Sequence, residues 1–181
     1  SNKLFENKGD GTFAEISETA NIGGGNLNST GCSMGDVNGD GLLDIVVANS
    51  LPIDNAIAWW VEPFEYNQHN QLYLNQQDNI FSNYSTESGI ETLKGQDPSI
   101  ANAAGVSWAI AMVDYDLDGD IDIVSVDDNG FFLPAAHGGV DRGTLHVFNN
   151  DGTGHFEDVS IDVGLAKVGA WMGLSFADFN S

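Results

Sequence analysis

Positive charge is scarce in this chain: 5 Lys and Arg stand against 27 Asp and Glu among 181 residues, for a formal net charge of −22 at pH 7. So much unrelieved negative charge argues against nucleic acid or an anionic membrane surface as the main partner. Cysteine is nearly absent. The single Cys32 excludes an internal disulfide framework and any multi-cysteine zinc or iron–sulfur site, and burial as a small hydrophobe stays open to it. No apolar run approaches the roughly 18 residues of a membrane span, and no signal-like segment follows Ser1. Only 4 prolines occur, but 22 glycines do, with many Asn and Asp. That mixture suits short strands joined by tight turns, and a hydrophobic content of 41% is enough for a packed core.

What the chain does have is repetition. One signature couples an apolar pair, an Asn, a turn and an aromatic. It runs from Leu4-Phe5-Glu6-Asn7 to Phe13, from Leu72-Tyr73-Leu74-Asn75 to Phe81, and from Val147-Phe148-Asn149 to Phe156. Each copy reads as a β-hairpin. Gly9, Gly11, Gly152 and Gly154 supply the backbone freedom of tight turns, while the middle turn, Gln76-Gln77-Asp78-Asn79, has no glycine. Similar tails follow, at Ala20-Asn21-Ile22, Ser88-Gly89-Ile90 and Val163-Gly164-Leu165.

A second signature is acidic: Asp36-Val37-Asn38-Gly39-Asp40-Gly41-Leu42-Leu43-Asp44, then Asp114-Tyr115-Asp116-Leu117-Asp118-Gly119-Asp120-Ile121-Asp122. Both run into β-branched strands, and Asp178-Phe179-Asn180 opens a third copy. Equivalent residues recur about every 70 positions, and four short strands per unit suggest propeller blades. The expected fold is all-β, a partial β-propeller of about two and a half repeats at residues 3–49, 71–128 and 144–181, with inserts at 50–70 and 129–143.

In the acidic loop, side chains at positions 1, 3 and 5 converge because the intervening residues turn the backbone. Glycine at position 6 allows the bend, position 7 offers its carbonyl, and the Asp at position 9 closes the shell. That oxygen cage suits Ca²⁺ better than Mg²⁺, which sheds its waters reluctantly. An EF-hand would need Glu at position 12, where this chain has Val47 and Ser125 inside strands. An acidic turn without metal is the alternative, but two copies in register favour the metal. Unit charges 4 Å apart repel by about 1 to 4 kcal/mol, and the second loop carries five carboxylates against three in the first. It is therefore expected to bind calcium more tightly.

At these residues the chain resembles the FG-GAP/VCBS repeat family, the calcium-binding propeller repeats of integrin α-subunit heads and secreted bacterial proteins. The resemblance implies one calcium site at Asp36, Asn38, Asp40, the Leu42 carbonyl and Asp44, and another at Asp114, Asp116, Asp118, the Asp120 carbonyl and Asp122. Asp178 and Asn180 would begin a third. A closed propeller takes 4 to 8 blades, so this chain is expected to be part of a longer propeller, with association of copies through open edges as the alternative.

The first insert carries Trp59, Trp60, Phe64 and Tyr66, which either stack on a sugar or partner or pack over a neighbouring blade. Trp108, Ile110 and Met112 alternate like core residues, and Trp171 and Leu174 are expected in the core as well. His69, His137, His146 and His155 show no zinc spacing and read as surface or turn residues. No nucleophile elbow, phosphate loop or dinucleotide fingerprint is present. The expected function is a non-enzymatic, calcium-stabilised binding or adhesion module, secreted or at the cell surface, with a protein or glycan ligand. An assembly subunit and a carbohydrate-binding appendage of a polysaccharide-active protein are the alternatives.

Overall fold

A computed structural model describes residues 2–50, 68–93, 105–128 and 143–177. Strands β1 (Phe5–Asn7) and β2 (Phe13–Glu15) form a two-stranded antiparallel hairpin. Strands β3 (Ser29–Gly35), β4 (Asp44–Asn49), β5 (Gln71–Asn75) and β6 (Phe81–Asn83) follow as a four-stranded antiparallel meander. After the short helix α1 (Ser85–Ser88), β7 (Ser107–Val113), β8 (Asp122–Asp127), β9 (Leu145–Asn150) and β10 (Phe156–Asp158) repeat that meander. Among the described residues two complete propeller-like blades thus follow a two-stranded hairpin, in line with the partial all-β propeller expected from the sequence, and no closed ring is formed. The unit of sequence and the sheet are out of phase, however. The sequence repeat at residues 71–128 supplies the last two strands of the first four-stranded sheet and the first two of the second.

The central strands β4 and β8 are buried along their whole length, because each is covered on both faces. Ile45 and Val47 face the β1–β2 hairpin and pack with Tyr73 and Phe81, against Leu4 and Ile16. Val46 and Ala48 point the other way and join Leu72 to Ile123, Phe148 and Phe156 of the second blade. This second cluster bonds one blade to the next. Complete burial of a side chain such as Phe148 or Leu72 contributes about 1.5–3 kcal/mol.

Turn chemistry matches the sequence closely. Asn21, Gly89 and Gly164, one in each tail, all adopt positive φ. The middle hairpin lacks glycine, so Gln77, Asp78 and Asn79 carry positive φ themselves. In the acidic loops Gly39 has φ +70°, while its counterpart Leu117 sits at φ +63° with its side chain 83% exposed. A β-carbon there costs about 1–2 kcal/mol. The Leu117 side chain belongs to neither core cluster. Leu117→Gly is therefore expected to stabilise the protein by about 1 kcal/mol in urea denaturation.

Four sequence expectations are corrected. Trp108 is 41% exposed rather than core. The ladder shifts register between Ser107 and Ala109, and this bulge throws the intervening tryptophan out of the alternation, while Ile110 remains buried and Met112 packs on the core. Trp171 and Leu174 are half-buried and belong to neither core cluster. Cys32 is exposed. His146 is buried, not a surface residue.

Candidate functional site

The second acidic loop connects β7 to β8. Gly119, at φ +100°, turns the chain and donates its amide to Asp114 Oδ2 at 3.1 Å. Asp116 Oδ1 receives the Asp118 amide at 3.3 Å, and Asp118 Oδ1 receives that of Asp120 at 2.9 Å. The loop thus wraps its own carboxylates around its own backbone. Carboxylate oxygens of Asp114, Asp116 and Asp122 come within 4.8 Å of one another. Asp114 Oδ1 is shielded from solvent and meets no hydrogen-bond donor. A buried carboxylate oxygen without a donor, facing two further carboxylates, is costly unless a cation completes it. This donor set is all hard oxygen, fits a divalent ion of the calcium kind, and can hold one.

Asp122, at position 9, does more than close the cage. It is fully buried, with Oδ2 accepting from the Tyr115 amide at 3.1 Å and Oδ1 from the Asn150 amide at 2.9 Å. Asp44 repeats the arrangement with the amides of Val37 at 3.0 Å and Asn75 at 2.9 Å. Burial raises both carboxyls above the usual range despite these amides, and the neighbouring loop carboxylates push the same way. A cation would reverse that unfavourable balance.

The first loop is gathered differently. Asp36 uses both oxygens on its own backbone, taking the Asp40 amide at 3.1 Å and the Gly41 amide at 2.8 Å. Asn38 donates to Asp40 Oδ2, and Asp40 Oδ1 accepts from the Leu42 amide. Asp36, Asp40 and Asp44 form no close carboxylate group like that of the second loop. In that second loop Asp118 stays outside the group of three, and the Asp120 side chain lies against Gly152 of the β9–β10 turn, as 2.7 Å from a β-carbon there would show. Asp178, Asn180, Trp59, Trp60, Phe64 and Tyr66 lie outside the described residues.

The sequence reading missed the asparagines that tie hairpin to loop. Asn75 donates its side-chain amide to the Leu43 carbonyl at 3.2 Å, and Asn150 does the same to Ile121 at 2.8 Å. Asn150 also reaches the Val37 carbonyl of the preceding blade at 2.7 Å. The hairpin Asn of the third copy is therefore Asn150, not Asn149. Asn7, Asn75 and Asn150 stand opposite Phe13, Phe81 and Phe156, and each accepts the amide two residues on. The two sequence signatures are halves of one structural unit.

Histidine chemistry is also misjudged by spacing alone. His146 sits between Asp127, at 3.3 Å from Nε2, and Asp158, at 3.0 Å from Nδ1, with Thr144 Oγ1 2.7 Å away. Burial pushes its pKa down, but the two aspartates outweigh this and raise it to about 9. Burial likewise pushes Asp158 up, and hydrogen bonds from His146 and Ser160 hold it below the ordinary value. His155 is exposed against Tyr84, and His69 is half-buried.

With this geometry in place, the family model described as an FG-GAP-like repeat matches residues 1–47 and 114–181, more than half of the chain. No curated protein gives a significant match.

Proposed function

From the chain's membership of the FG-GAP-like repeat family, we propose that it is a calcium-stabilised β-propeller module that acts in binding or adhesion outside the cell, without catalysis. The observation that carries the metal is Asp114 Oδ1, buried without a donor beside Asp116 and Asp122. Calcium there would cross-link the β7–β8 loop to the base of β8 and neutralise charge that burial makes unfavourable. Asp36, Asn38, Asp40, the Leu42 carbonyl and Asp44 would form a weaker site, since Asp36 is already engaged by two backbone amides. Extracellular modules work with sites as weak as about 10⁻⁴ to 10⁻³ M, and repeats of this family are typical of extracellular proteins. No described helix is long and apolar enough to cross a membrane.

Thermal unfolding in excess chelator and then in millimolar calcium tests this. In millimolar calcium, an ion held by the native state alone with a Kd of about 10⁻⁴ M contributes about 1.4 kcal/mol, and the melting temperature should rise by about 3–6 °C. Asp114→Asn should remove most of the rise. Equal melting with and without calcium would overturn the metal reading and leave the propeller fold in place.

A further inference from the structure

Two Asn-Gly pairs occur in the chain, Asn38-Gly39 and Asn129-Gly130, and the second lies outside the described residues. Asparagine before glycine is a chemically weak point, because no β-carbon keeps the glycine nitrogen away from the asparagine side-chain carbonyl. Asn38 and Gly39 occupy positions 3 and 4 of the first acidic loop. Gly39 is exposed, adopts φ +70°, and a β-carbon built on it would meet nothing within 4 Å. Its amide donates to no other group among the described residues.

The neighbours of Asn38 prepare its side-chain amide for attack. Oδ1 accepts the Asp40 backbone amide at 3.1 Å, which draws electron density from Cγ and steadies the charge that develops on that oxygen. This bond to the residue two on folds the side chain back along its own main chain, past the Gly39 nitrogen. Nδ2 donates to Asp40 Oδ2 at 3.1 Å, so the nitrogen that must leave stands beside a carboxylate that favours its protonated form. The second loop offers no such reaction, since Asp116 there is already an acid and Leu117 follows it.

We propose that Asn38 is a self-modifying site of the ion-free loop. Gly39 N bonds to Asn38 Cγ, the Cγ–Nδ2 bond breaks, and Nδ2 leaves as ammonia with the proton that Gly39 gives up. Water, the only other reactant, then opens the cyclic imide. Its attack on Cγ restores the ordinary peptide and leaves aspartate, whereas attack on the main-chain carbonyl leaves isoaspartate, with the chain running through the side chain. The aspartate product gives the first loop a carboxylate at position 3, where the second loop has Asp116. Its consequence for the ion rests on the proposed calcium reading: an ion held by Asn38 Oδ1 pins the side chain and slows the reaction, and the added carboxylate tightens the site.

Peptide mapping by mass spectrometry of the full chain, kept folded in chelator over days, tests the proposal. It expects the mass gain of amide-to-acid conversion at position 38, at a rate no slower than in the same chain unfolded in urea, where the pair shows its intrinsic reactivity. Gly39→Ala should slow the loss by about 10-fold or more, because its methyl group crowds the attacking nitrogen. Leu117, at φ +63° in the second loop, shows that a side chain is tolerated at this place, and circular dichroism checks that the variant is folded. Slower loss in the folded protein than in urea would overturn the proposal, and so would a rate untouched by Gly39→Ala. Millimolar calcium separates this inference from the reading beneath it. Slower loss in calcium supports both, and equal loss in calcium and chelator keeps the self-modification while removing the ion from the first loop.

Discussion

Replacing His146 with glutamine is expected to destabilise the protein by about 3–5 kcal/mol, because Asp127 and Asp158 would be left as buried charges without a cation between them. The first blade shows how the same positions are filled without charge. There Asn49, Gln71 and Asn83 stand where the second blade has Asp127, His146 and Asp158. The hydroxyl partners are retained: Ser29 donates to Asn49 as Ser107 does to Asp127, and Ser85 to Asn83 as Ser160 does to Asp158. The triple variant Asp127→Asn, His146→Gln, Asp158→Asn should therefore recover most of the loss in urea denaturation at pH 7. The pH dependence separates the two states further. His146 has a folded pKa of about 9 against an ordinary 6.5, so its contribution is complete below about pH 6.5 and is lost as the pH rises through about 9. Wild-type stability should fall across that window, and the triple variant should fall less. A wild type as stable at pH 9.5 as at pH 6 would contradict the buried ion pairs.

Asp122→Ala is expected to be comparably severe, and for a reason independent of metal. It strips the acceptors from the Tyr115 and Asn150 amides, and each orphaned amide costs about 1–3 kcal/mol. The loss should be the same size in chelator as in calcium, before any loss of ligand binding is added. Asp116→Asn, at an exposed position, should differ in kind: nearly neutral in chelator, it should shrink only the increment that calcium gives. Urea denaturation of both variants under both conditions reads the two effects apart. An Asp122→Ala protein as stable as wild type in chelator would show that the carboxylate does not staple loop to strand.

Much of this architecture was legible because it rests on local chemistry that repeats. Positive φ at Asn21, Gly89 and Gly164 follows from residues that tolerate it, and the acidic loops announce their turns through Gly41 and Gly119. What escaped the sequence depended on neighbours in space. The third hairpin offers two adjacent asparagines, and only the ladder with Phe156 decides for Asn150. The aspartates of His146 lie on strands β8 and β10, far from it in sequence, so spacing pointed to the surface. Trp108 kept its alternation on paper and lost it to a bulge. Of the five ligands read from the sequence of the second loop, Asp114, Asp116 and Asp122 bring carboxylate oxygens within 4.8 Å of one another, a convergence that spacing alone does not measure.

The offset between sequence unit and sheet has a consequence for ancestry and cooperativity. The unit at residues 71–128 is hydrogen-bonded into both four-stranded sheets, β5 and β6 into one and β7 and β8 into the other, so its unfolding must break ladders on both sides. Nearest-neighbour coupling of that kind makes adjacent units melt together. It also means that duplication or loss of a whole unit in the gene leaves each seam with the same strands to join: β4 with β5 and β8 with β9 are both junctions between successive units. A protein built this way can change its number of blades in evolution without redesigning a single strand pair.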